Sequence, residues 1–78
     1  MAKKQPTWAE SVRSARTNLP ARLGQEPWTQ AQLAEALGVS SNMIAMWERG
    51  ERNASSQSLR ILAYCYALVL KGIDPRSI

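Results

Sequence analysis

The strongest constraint on this chain is one glycine, Gly38, set between two short runs whose apolar residues repeat at helical spacing. Before it, Leu33, Ala34 and Leu37 stand at i, i+1 and i+4, the inner face of a helix about two turns long that Thr29 is placed to cap. After it, Val39 is apolar within the turn, Ser40 caps a second short helix, and Ile44 and Trp47 face inward before Gly50 stops it. Gly38 is predicted to take the left-handed conformation that ends the first helix and swings the chain into the second. Helices this short are marginal alone, so the pair must be held by neighbours supplied from the rest of the chain.

Two flanking segments can supply them. Thr7 with Glu10 three positions on forms a capping box, and Trp8, Val12, Ala15 and Leu19 then share one helical face. Pro20 disfavours helical geometry at Leu19 and lacks a backbone donor, so this helix is expected to end or kink near Asn18. The stretch from Pro20 to Trp28, holding Gly24 and Pro27, then reads as a loop with one short turn at most. Past a polar connection, Ser55 or Ser56 caps a last helix over about 56–71, stopped by Gly72 with Pro75 beyond. From Leu59 to Leu70 that helix reads LRILAYCYALVL, with Arg60 as its one charge, so it is apolar on nearly every side. One stripe suffices for the core of so small a domain, and the remainder reads as a surface for a second chain. Leu62, Tyr66, Val69 and Leu70 are the residues expected in that interface.

The chain's 78 residues suit one domain and exclude a two-domain enzyme. It has no His and a single Cys, and its six acidic residues stand singly, so no metal site, cofactor or carboxylate pair is expected. No nucleophile stands beside a base, which argues against catalysis, and Cys65 in its apolar helix reads as a small buried residue. No apolar run nears the ~20 residues of a membrane span and no signal-peptide pattern is present, so the expected localisation is cytoplasmic. The formal net charge of +4 makes nucleic acid the leading candidate partner. Residues 1–22 carry Lys3, Lys4, Arg13, Arg16 and Arg22 against Glu10 alone. Residues 1–6 read as a flexible basic arm, 7–73 as the folded domain and 74–78 as a C-terminal tail.

Residues 29–50, TQAQLAEALGVSSNMIAMWERG, resemble the helix-turn-helix of the phage-repressor class that includes lambda repressor and Cro, the Xre family. The match is close across this stretch and looser to about Leu68. The resemblance implies an all-α domain of four to five helices with a central helix-turn-helix. It also implies a regulator whose second motif helix lies in the major groove of double-stranded DNA.

Carried over by position, Ser41, Asn42, Ala45 and Met46 become the candidate base contacts. Asn42 is the best chemical reader, because its amide can bond adenine bidentately, while Ala45 and Met46 suit thymine methyls. No arginine stands among them to fork onto guanine, which points weakly to contacts rich in A·T pairs. Gln30, at the start of the first motif helix, is expected on a phosphate, together with Ser40, Met43, Arg49, Arg52, Asn53 and the arm residues Lys3 and Lys4. In W-E-R-G the family's Glu serves structure by pairing with an Arg of the first helix. Glu48 is therefore expected to pair with Arg16, with Arg13 or Arg22 as substitutes.

The reading that follows is a homodimeric repressor on an inverted repeat, similar to small regulators of phage, plasmid or toxin–antitoxin operons. The alternative from another class is an antitoxin or adaptor whose apolar last helix binds a protein, with DNA binding secondary.

Overall fold

The computed structural model describes residues 7–77, and these contain helices and no strand: α1 (Trp8–Arg22), α2 (Gln30–Leu37), α3 (Ser41–Glu48), α4 (Ser56–Leu70) and a short 3-10 helix (Pro75–Ser77). The arm at 1–6, with Lys3 and Lys4, lies outside the described residues. The caps explain the helix starts. Thr7, Thr29, Ser40 and Ser55 each stand in extended geometry and accept a hydrogen bond from the backbone amide three residues on. At α2 the cap is reciprocal, since the Gln32 side chain accepts from the Thr29 amide at 2.9 Å.

α1 departs from the sequence expectation. It runs through Pro20 to Arg22 instead of ending near Asn18. The reason lies in where the orphaned backbone group goes. Pro20 has no N–H for the carbonyl of Arg16, and the amide of Trp28 donates to that carbonyl instead, at 3.0 Å. The proline ring is buried, so the residue that looked like a breaker acts as a wall of the core. The helix ends two residues later in a Schellman motif, in which Gly24 donates to Ala21 O and Gln25 to Pro20 O.

Between α2 and α3 the turn is Gly38, at φ +73° and ψ +29°, with the amides of Gly38 and Val39 both donating to the carbonyl of Ala34. α1 packs on α3 and α4, while α2 packs on α3, α4 and the 3-10 helix. The core between them holds Val12, Ala15 and Leu19 of α1, Leu33, Ala34 and Leu37 of α2, Ile44 and Trp47 of α3, and Trp28 from the α1–α2 loop. Trp8 meets Trp47 edge to face, with ring centroids 5.2 Å apart.

α4 corrects the expected interface. Leu62 and Val69 are 6% and 2% exposed and belong to this chain's own core, along with Cys65, and Tyr66 is half-buried against that core. Of the four expected contacts only Leu70 stands open, and the other exposed large apolar residues here are Leu59, Tyr64 and Ile73. The inward stripe therefore runs through Leu62, Cys65 and Val69, at spacings of three and four. Burial pushes the Cys65 thiol up to about 11, which keeps it protonated and unreactive near neutral pH. Of the expected tail at 74–78, residues 74–77 are described. Residues 74–77 fold back against the α1–α2 loop, where Asp74 and Arg76 reach Gln25.

Because a Cβ at Gly38 would meet no atom within 4 Å, substitution there tests backbone strain alone. Gly38→Ala should cost about 1–2 kcal/mol, the penalty of left-handed geometry for an L-residue. In a domain of this size each kcal/mol lowers the melting temperature by about 4–8 °C. Gly38→Asn should recover part of the loss, because asparagine tolerates this region. A thermal melt of the three proteins measures both effects.

Candidate nucleic-acid interface

Burial divides α3 into two faces. Ile44, Trp47 and Glu48 are buried, Ser41, Asn42 and Arg49 are exposed, and Ala45 and Met46 lie between. Ser41, Asn42, Ala45, Met46 and Arg49 follow one another at steps of one, three, one and three, so they form one continuous outward stripe. The four candidate base readers are thus brought together on one surface.

Glu48 fixes that face. Among the described residues it is the buried charged one, 7% exposed, and its carboxylate receives a fork from Arg16: Nε to Oε2 and Nη2 to Oε1, each at 2.8 Å. Burial alone would raise this carboxyl. The Arg16 hydrogen bonds and charge, the neighbouring Gln30 side chain and the charge of Arg13 outweigh it and hold the group below the usual carboxylate range. The Arg16 guanidinium is raised in turn, first by its hydrogen bond to Glu48. Arg13 lies 3.7 Å from the carboxylate with its side chain 59% exposed, and its Nη2 donates to the main-chain carbonyl of Glu48 at 3.2 Å. That contact gives an end carbonyl of α3 a donor and sets a cation at the negative end of the helix. Arg22 is exposed and takes no part in this pair.

The same guanidinium ties in a third segment. Arg16 Nη1 donates to the carbonyl of Trp28 at 3.3 Å, while the Trp28 amide donates to the Arg16 carbonyl. Trp28 immediately precedes the Thr29 cap, so Arg16 places the start of α2 and the end of α3 at once. Gln30 sits in the first position of α2, half-buried. Ser40 is exposed, with its hydroxyl accepting from the Met43 amide at 3.1 Å.

Met43 needs a correction as a phosphate contact. Its one donor, the backbone amide, is already held by Ser40, and its side chain is half-buried beside the core with Arg52 Nη1 at 3.8 Å from the sulfur. Arg49, Arg52 and Asn53 are exposed just past α3, and Arg49 is paired with Glu51. Arg52 and Asn53, together with Ser55, Gln57 and Ser58, line the polar side of a groove of about 580 Å³ between the α3–α4 connection and the turn at Gly38.

Sequence reasoning missed Gln25, Trp28, Asp74 and Arg76, which form one cluster beneath the start of α2. One signal was present. Trp28 before the cap and Leu33 at the fourth helical position form the hydrophobic-staple pattern, and both are buried. Nothing in the spacing of Asp74 and Arg76 pointed to residue 25.

A family model described as helix-turn-helix matches residues 21–63, more than half of the chain. The match spans the α1–α2 loop, both short helices, the α3–α4 connection and the first half of α4. No curated protein and no solved structure matches the chain.

Removing Glu48 strands the Arg16 guanidinium, only 22% exposed, without its carboxylate. Glu48→Ala should lower unfolding stability by about 3 kcal/mol, whereas Arg13→Ala, at an exposed position, should cost at most about 1 kcal/mol. The pH dependence has a definite sign. The folded carboxyl is held lower than the unfolded one, so its contribution is complete above the ordinary carboxylate range and is lost as pH falls toward the folded value. Urea titrations from pH 7 down to pH 3 should show the wild type losing stability over that window, with a smaller loss in Glu48→Ala.

Proposed function

This chain belongs to the helix-turn-helix family of DNA-binding transcription regulators, and we propose that it is a sequence-specific repressor of the lambda-repressor and Cro class, acting as a homodimer on an inverted repeat. The observation that carries the reading is the division of α3. A buried ion pair anchors one face, and the opposite face offers Ser41, Asn42, Ala45 and Met46 as one stripe. With α3 in the major groove, Asn42 bonds an adenine edge, Ser41 meets a neighbouring polar edge, and Ala45 and Met46 pack on thymine methyls. Gln30 at the start of α2, and Ser40, Arg49, Arg52 and Asn53 around α3, hold phosphates and set the register. Arg49 exchanges Glu51 for a phosphate in doing so. An exposed ion pair contributes little, so the exchange costs little.

The apolar surface of α4 supports pairing of two copies. Leu59, Tyr64 and Leu70 of the 15-residue α4 are each more than half exposed. A symmetric dimer sets two recognition helices about 34 Å apart, one turn of the duplex. Regulation in this reading comes from occupying the site. A second reading, in which another protein covers this surface, is favoured by the apolar groove of about 440 Å³ that Ala36, Leu37, Ile61 and Tyr64 line between α2 and α4.

Selection from a random duplex pool tests the proposal. A palindromic motif should emerge, and Asn42→Ala should lose about 1–3 kcal/mol at one base position per half-site while leaving the salt dependence almost unchanged. Arg52→Ala should instead weaken all duplexes alike and lower the slope of log affinity against log salt by about one. Binding that is weak, governed by salt and without a motif overturns the reading and shifts attention to a protein partner.

A further inference from the structure

The 3-10 helix and the residue before it make contacts that a passive terminus has no reason to make. Arg76 lies over the indole of Trp28, 5.2 Å from the ring centroid, and its Nη2 donates to Gln25 Oε1 at 3.1 Å and to Asp74 Oδ2 at 3.2 Å. Gln25 is held from both ends. Its Nε2 donates to Asp74 Oδ2, and its Oε1 accepts from Trp28 Nε1, each at 2.9 Å. Asp74 also accepts the Arg76 backbone amide at 2.9 Å. The side-chain oxygens of Gln25 and Asp74 each accept from another member of the cluster, and the charged pair is only about one-fifth exposed.

The position of the cluster matters. The segment 25–29 has no regular structure of its own, yet it carries Trp28 and the Thr29 cap, and thereby sets where α2 begins. One side of Trp28 is tied to Arg16 through its amide and its carbonyl, and the other is tied to Gln25 and Arg76 through its ring. A continuous chain of contacts therefore runs from Arg76 through Gln25, Trp28 and Arg16 to Glu48 at the end of the recognition helix.

We propose that Arg76 is a positioning residue for DNA binding: by clamping Trp28 it fixes the start of α2, and so the aim of Gln30 at its phosphate. The inference rests on the DNA-binding reading above. Arg76 itself meets no DNA. Its effect on affinity passes through Gln30, so the two residues must be energetically coupled although no contact joins them.

The test is a double-mutant cycle on the selected duplex with Arg76→Ala, Gln30→Ala and the double variant, the active fraction of each fixed by titration at high DNA concentration. Each single variant should weaken binding about tenfold, and the double variant should be little worse than Gln30→Ala alone. Leu62→Ala, which removes core volume in the first half of α4 and takes no part in the cluster's hydrogen bonds, is the control for general loosening and should multiply independently with Gln30→Ala. Losses from Arg76→Ala and Gln30→Ala that simply multiply overturn the inference, as does a Leu62→Ala control coupled just as strongly to Gln30. A wild-type protein that selects no duplex overturns the DNA-binding reading itself, and the inference with it.

Discussion

A buried carboxylate allows very few arrangements around it, and in this protein the rest of the structure is organised about that of Glu48. Charges enter an interior only when paired and hydrogen-bonded, and a domain of this kind has about 5–15 kcal/mol of stability in total. Any rotation of α3 that broke the Arg16 fork would forfeit a large share of it. The fork therefore does more than join α1 to α3. It fixes which face of α3 points inward, and so which side chains are left for a ligand. The pair also makes Arg16 less useful as part of a general positive field, since its charge is spent on Glu48. Exposed cations beside the end of α3 are Arg49 and Arg52.

Pro20 extends the influence of Arg16 through the backbone. Because the proline cannot donate to the Arg16 carbonyl, that carbonyl draws in the amide of Trp28, and the loop before α2 closes onto α1. Side chain and main chain of one residue thus bind the same tryptophan from two directions. The two short helices need such external anchoring, as neither is long enough to persist alone. Their turn at Gly38 sets the angle between them, and the surrounding contacts hold it.

The elements most legible in the sequence were those fixed by local chemistry. Thr29 and Ser40 cap through their side-chain hydroxyls and Gly38 turns through its own backbone, so the boundaries of α2 and α3 are legible from residue type alone. α1 was misjudged for the opposite reason. Whether a helix continues through Pro20 depends on what takes the carbonyl four residues back, and that partner lies eight residues ahead of Pro20, in a loop. α4 was found, but its inner face was not, because LRILAYCYALVL is apolar in every direction and periodicity cannot choose among its stripes. Leu62 and Val69 went inward on packing grounds that only the other three helices supply. The candidate readers on α3 come from the resemblance; Ser41 and Asn42 are exposed, while Ala45 and Met46 are half-buried. The Gln25–Trp28–Asp74–Arg76 cluster was invisible, since it joins residues about fifty positions apart in sequence and follows no spacing rule.

What emerges is a small domain of a DNA-binding family in which a buried ion pair fixes one face of α3 and leaves the other toward solvent. The most direct test of that division is amide chemical-shift mapping of the isotopically labelled protein titrated with its selected duplex. The account predicts the largest perturbations at Gln30–Gln32 and Ser41–Met46, the start of α2 and the outward stripe of α3. Perturbations confined to Leu59–Leu70, with the α3 amides silent, would contradict it and make α4 the functional surface.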